Sequence, residues 1–210
     1  SQEGVTRRDF VAAASGVAVA SLAPKAASAQ GGKRRRYAIV GTGVRGIGMW
    51  GRPLVERYSD VLEFVGLCDV NPLRALVAKK QIGASCPTFT SLDVMLEQAK
   101  PELLMVTTVD AAHESSIVKA LERGVDVLTE KPMVIDEQQC QSVLDAETRT
   151  GRKIGVTFNY RYSPPRSQLK EMLDRGDIGE ILSVDFAWTL DTRHGADYFR
   201  RWHRQKRNSG

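Results

Sequence analysis

The chain has 210 residues, 42% hydrophobic and 26% charged, an ordinary globular composition that excludes a disordered or low-complexity polypeptide. Lys and Arg number 30 against 25 Asp and Glu; the net charge of +5 includes local runs at Lys33 to Arg36 and Arg200 to Arg207 that a solvated face explains, so nucleic acid is not expected as a partner. Cys68, Cys86 and Cys140 are odd in number and far apart, which excludes a disulfide framework and a C-x-x-C metal knuckle and reads as three small buried hydrophobes.

At the amino terminus, Thr6-Arg7-Arg8-Asp9-Phe10-Val11 sets two arginines before the alanine-rich apolar stretch Val11 to Leu22. Ala27-Ser28-Ala29 follows with small residues at signal-peptidase spacing. The pattern resembles a twin-arginine (Tat) signal, which implies cleavage after Ala29, the Tat export machinery as a partner and a periplasmic location. An amphipathic helix is the competing reading, but Val11 to Ala20 has no polar face at helical spacing. The stretch is also too short for a stable membrane anchor across a bilayer of about 30 Å. Residues 1–29 are therefore expected to be a signal peptide and 30–36 a linker.

The strand Tyr37 to Val40 runs straight into Gly41-Thr42-Gly43-Val44-Arg45-Gly46, a G-x-G-x-x-G loop in the position that suits it. The first glycine allows the tight turn, the second lets a diphosphate approach the backbone, and the third packs helix on strand. A second apolar strand, Val61 to Leu67, ends at Asp69, 28 positions past Gly41 (69 − 41), long enough for an extended first helix and loop. A carboxylate at that strand tip accepts from ribose hydroxyls and repels a 2′-phosphate, which favours NAD. Arg74 can reach a 2′-phosphate, so NADP stays open.

Further strands are expected at Thr88 to Phe89, Leu103 to Thr108, Val125 to Thr129 and Ile154 to Phe158, with helices from Ser91 to Gln98, Ala111 to Arg123 and Asp136 to Thr150. Gly124 and Gly151 close helices just before strands. The alternation predicts an α/β fold: a doubly wound parallel-sheet Rossmann domain over residues 37–162, with ligands at the carboxyl ends of the strands.

Thr129-Glu130-Lys131-Pro132-Met133 after a buried strand resembles the Glu-Lys-Pro signature of the oxidoreductase family typified by glucose-fructose oxidoreductase and inositol dehydrogenase. His113 with Ala120-Leu121 and Gly124, and Asn159-Tyr160-Arg161-Tyr162-Ser163-Pro164 after the last strand, agree with it; Val109-Asp110 stands where many relatives carry proline and asparagine. The resemblance covers about Arg35 to Trp188. It implies a tightly bound NAD held by the glycine loop, Asp69, Arg74, Thr107, Thr108, His113, Glu130, Lys131 and Asn159. It also implies that Lys131 holds the reacting hydroxyl and helps its proton leave, with Glu130 orienting it. A lysine at a buried strand end tends toward a lowered pKa, and Pro132 stiffens the turn.

Ile181 to Leu190 alternates like one long strand and would begin a second domain over 163–210, which the resemblance implies is an α+β open sheet. Since a single strand is not stable by itself, the chain reads as a fragment of a longer protein, inactive alone; the resemblance implies an oligomer when complete. The resemblance implies that Tyr198, Arg201, Trp202 and His203, in a stretch read as irregular, approach the pocket and join Lys131 and Arg161 as substrate candidates; no His and carboxylate pair falls at metal-ligand spacing on one helix face.

The leading expectation is hydride transfer between bound NAD and a carbohydrate or cyclitol hydroxyl. Two others remain: glycoside cleavage by transient oxidation and elimination, and a non-catalytic NAD or sugar sensor. Export favours a cofactor regenerated within each cycle.

Overall fold

The computed structural model describes residues 33–210. The expected export signal and its expected cleavage site fall outside the described residues.

Six parallel strands form one sheet: β1 (Arg35–Val40), β2 (Leu62–Cys68), β3 (Thr88–Phe89), β4 (Leu103–Val106), β5 (Asp126–Glu130) and β6 (Ile154–Thr157). Their spatial order is β3-β2-β1-β4-β5-β6, so the chain winds outward from β1, crosses back, and winds the other way from β4. Such a reversal leaves a crevice between β1 and β4 at the carboxyl edge.

Alternation along the strands supplies both faces. Ala38, Val40, Leu104 and Val106 pack with Ile117, Leu121 and Val143 on one side. Tyr37, Ile39, Leu103 and Met105 pack with Leu67 and Ile82 on the other. Successive side chains of a strand point to opposite faces, so a parallel sheet covered twice needs these unbroken apolar runs. Tyr37 stacks on Phe64 with centroids 4.7 Å apart, and its buried hydroxyl meets no hydrogen-bond partner.

The helices are α1 (Arg52–Arg57), α2 (Pro72–Ile82), α3 (Leu92–Ala99), α4 (His113–Glu122), α5 (Glu137–Thr150), α6 (Pro164–Asp174) and α7 (Thr192–Arg200). Ser91 and Asp136 cap α3 and α5 by accepting from the N–H groups of Val94 and Gln139. A π-turn, Gly46–Gly51, precedes α1 and supplies the extra length between the glycine loop and β2. Two further helices, α2 and α6, both open with proline at the start, where its missing N–H is harmless.

Cys68 and Cys86 are buried, and burial pushes each thiol up to about 11. Cys140 is only half-buried, on α5, short of the expected burial.

The expected strand from Ile181 to Leu190 does not form. Residues 181–190 are irregular and exposed, because a strand exists only by bonding to neighbours and no described strand lies beside it. The stretch after it, expected to be irregular, holds α7 and two short 3-10 turns, Trp202–Arg204 and Lys206–Asn208. No described helix is long and apolar enough to cross a membrane.

Candidate functional site

Register builds the site. Val40 pairs with Cys68 and with Val106, and Val106 pairs with Thr129. The next residues along each strand, Asp69, Gly41, Thr107 and Glu130, therefore line the carboxyl edge side by side. Four separate sequence motifs meet there.

Gly41 has φ +91°, and a Cβ on it would stand 2.5 Å from Thr107 O. Gly46 is packed on Gly41 O, with Thr107 Oγ1 2.8 Å from its would-be Cβ. Gly43 differs: only Arg74 Nη2, at 4.0 Å, comes near. Two glycines thus shape the turn, and the middle one leaves its backbone open to a ligand. That open cradle fits a diphosphate.

Asp69 closes the loop from β2. Its Oδ2 accepts from Thr42 N–H at 2.9 Å and Thr42 Oγ1 at 2.6 Å, its Oδ1 accepts from Asn71 N–H at 2.9 Å, and Arg74 Nε stands 3.9 Å away. Burial alone would raise its pKa, but the Thr42 hydroxyl, the two N–H donors and Arg74 outweigh that and hold it below the usual carboxylate range. Three of about four acceptor positions are used, which leaves one on Oδ1 for a ribose hydroxyl. Arg74, half-exposed, flanks both Asp69 and Gly43.

Several expected cofactor residues prove to be builders of the loop. The Thr42 hydroxyl is spent on Asp69. Thr107 Oγ1 donates to Gly41 O at 2.5 Å and lies 3.1 Å from Val40 O. Val44 is exposed at the loop, whereas the Thr108 hydroxyl bonds Val109 O at 3.2 Å. His113 is buried and braces two loops: Nδ1 lies 2.8 Å from Pro132 O and Nε2 3.2 Å from Thr108 O. With both ring nitrogens beside backbone carbonyls, His113 ties the loop after β4 to the Glu-Lys-Pro turn.

Glu130 is also reassigned. Its buried carboxylate accepts from Arg45 Nη2 at 2.9 Å on each oxygen and from Trp50 Nε1 at 2.9 Å on Oε1. It makes no bond to Lys131, because adjacent residues at a strand end diverge. Lys131, expected at a buried strand end, is exposed just beyond β5 and engages no described residue in a hydrogen bond or ion pair. It is followed by a cis bond to Pro132. Trp50 escaped sequence reasoning; its signal was the glycine-rich, proline-interrupted segment from Gly46 to Pro53, which announces an irregular helix.

Asn159 and Arg161 are exposed in the turn just past β6, whose last residue, Thr157, pairs with Glu130. Tyr198, Trp202 and His203 stack together, with His203 4.8 Å from Tyr198 and 3.5 Å from Trp202 between ring centroids; Arg201 is exposed between α7 and the following turn. The tail beyond them returns to the crevice rim, where Gly210 N–H meets Asp110 Oδ2 at 3.4 Å and lies against Pro132. Among the described residues no group of three or more His, Cys, Asp or Glu side chains is placed to hold a metal.

Comparison with known proteins agrees with this geometry. Residues 35–158 match the model of the GFO_IDH_MocA oxidoreductase family, described as having an NAD-binding Rossmann fold. The chain is 43% identical over 180 residues to the putative oxidoreductase YteT of Bacillus subtilis, covering 84% of this chain and 42% of that one. It is 29% identical over 151 residues to an inositol 2-dehydrogenase/D-chiro-inositol 3-dehydrogenase of Lactiplantibacillus plantarum, covering 70% and 43%. In fold it resembles the WlbA dehydrogenase of Bordetella pertussis, solved with NADH and UDP-GlcNAcA, at a TM-score of 0.64 and 24% identity over 71% of this chain and 44% of that one. The chain spans under half the length of these relatives. A glycine loop, a strand-tip acid and a Glu-Lys-Pro turn on one sheet edge, matched as a set by the family model, make this chain a member of the GFO_IDH_MocA oxidoreductase family carrying its NAD-binding Rossmann domain.

Proposed function

We propose that this chain supplies the cofactor half of an exported oxidoreductase that moves hydride between tightly held NAD and a hydroxyl of a carbohydrate or cyclitol. The observation that carries the reading is Lys131, placed at the strand edge shared with the glycine loop and engaged by no described residue. The names of the relatives, which include inositol dehydrogenases, support this substrate class.

When bound, NAD supplies the hydride acceptor. The chain's own residues do the rest. The backbone at Gly43 cradles the diphosphate, and Asp69 Oδ1 accepts a ribose hydroxyl. Lys131 Nζ hydrogen-bonds the reacting hydroxyl and helps its proton leave. Arg161, in the turn after β6, is the candidate for orienting the polyol. The arginine pair Arg7-Arg8 supports transport of the folded, loaded protein, so that outside the cytoplasm the same NAD would be reoxidised or re-reduced within each cycle.

The test takes the intact protein, extracts its small molecules for mass spectrometry, and then offers it myo-inositol, glucose, fructose and aryl glycosides. Co-purified NAD with polyol or aldonate formation is the expected result. Release of the aryl group without net NADH would reassign the chain to glycoside cleavage. Sugar binding without any turnover would make it a sensor.

A further inference from the structure

The π-turn at Gly46–Gly51 brings together two side chains that an α-helix would separate. Five α-helical residues turn through about 500°, which leaves residue i+5 roughly 140° around the axis from residue i. Bonding from i to i+5 returns that residue toward the same face. Arg52 N–H donates to Ile47 O across such a turn. Arg45 and Trp50, five apart, both reach Glu130.

The sequence imposes this irregularity. Pro53 has no N–H for Met49 O, and its ring would clash with that carbonyl in a regular helix. Gly51 fits where a Cβ would stand 2.5 Å from Ile82 Cδ1. Glu130, 5% exposed, thus receives its bonds from the glycine loop and the turn behind it, 85 and 80 residues away in sequence. Arg45 keeps its side chain 39% exposed toward the loop surface while its charge is already matched.

Resting on the function proposed above, we propose that Glu130 is a positioning residue: through Arg45 and Trp50 it locks the glycine loop to the Glu-Lys-Pro turn, so that the diphosphate cradle and the support of Lys131 are held as one unit. An arm held before the ligand arrives loses little freedom when it binds, which is where such a lock gains affinity. Proton transfer is left to Lys131 alone.

The test uses Glu130→Gln, Arg45→Gln, the double variant and Trp50→Phe in the intact protein. NAD affinity is read by calorimetry, and hydrogen exchange over residues 129–135 is read with and without saturating NAD. Glu130→Gln is expected to weaken NAD about tenfold although Glu130 is not a cofactor contact. The double variant should be no weaker than the worse single one, the non-additivity of residues acting as a unit. With and without saturating NAD, residues 129–135 should be protected in the wild type and exchange faster in Glu130→Gln.

Unchanged affinity in Glu130→Gln overturns the proposal, as do additive losses in the double variant or full protection of the turn in Glu130→Gln. Should Glu130→Gln not fold by circular dichroism, Trp50→Phe decides by the same readouts, since it removes one bond and keeps the ion pair. A wild-type protein that binds no NAD overturns the proposed function as well. Wild-type binding matched by Glu130→Gln overturns the lock alone.

Discussion

Gly41 and Gly43 stand two residues apart in the same loop, yet alanine at each should fail in opposite ways. At Gly41 an alanine must adopt φ +91° and place its Cβ 2.5 Å from Thr107 O and 2.6 Å from Thr108 N, all backbone that cannot rotate aside. The left-handed conformation costs about 1–2 kcal/mol and the overlap about 1–3, so the loss should be roughly 2–5 kcal/mol. Against a total of about 5–15 kcal/mol, this moves a urea midpoint by about 1–3 M. At Gly43 the added methyl meets only Arg74 Nη2 at 4.0 Å, so stability should stay within about 0.5 kcal/mol. That methyl occupies the surface offered to the diphosphate, and NAD affinity should fall at least about tenfold, or 1.4 kcal/mol. Urea unfolding and NAD calorimetry on both variants make the comparison. A Gly43→Ala protein that binds NAD like the wild type, or a Gly41→Ala protein as stable as the wild type, refutes the assignment of the cradle.

Tyr37→Phe should stabilise the domain by about 1 kcal/mol, or roughly 2–4 °C in Tm by calorimetry, since it removes a buried hydroxyl that lacks a partner. Lys131→Ala should leave NAD affinity intact and lower turnover of the sugar at least about a hundredfold in the intact protein; full activity would remove Lys131 from the chemistry. Asp69 has a pKa depressed in the folded state, so its contribution is complete above the ordinary carboxylate range and is lost as pH falls through the folded value. Asp69→Asn should therefore lower stability at neutral pH, bind NAD more weakly, and show a shallower loss of stability than the wild type below about pH 4 in urea titrations.

The sheet was legible because each strand is a short apolar run bounded by glycine, by a capping residue or by charge. Tyr37 to Val40 falls within β1, β4 starts at Leu103 as expected and stops at Val106, two residues short of Thr108, and the loop glycines and Asp69 converge at the carboxyl edge. What the sequence hid was long-range pairing. Glu130 is adjacent to Lys131, and proximity suggested a partnership, whereas the carboxylate belongs to Arg45, 85 residues away. Strand alternation already argues against partnership between neighbours. The bracing by His113 was hidden for a related reason: only the fold brings Thr108 O and Pro132 O to its two ring nitrogens. Ile181 to Leu190 carries the alternation of a strand, but alternation records only which face wants burial and is silent on whether a neighbouring strand exists to bond it.

Charge pairing at the carboxyl edge now has a direction. Asp69 is matched by Thr42, Asn71 and Arg74, and Glu130 by Arg45 and Trp50, so these two acids are satisfied within the protein before anything binds. Lys131 projects from a turn held on one side by His113 through Pro132 O and on the other by Glu130 at the end of β5. A reacting group gains most when its support is fixed and its own polar atom is uncommitted, because a misplacement of about 1 Å costs roughly a hundredfold in rate. The two braces fix the support, and Nζ, bonded to no described residue, is the donor left for a hydroxyl of the substrate.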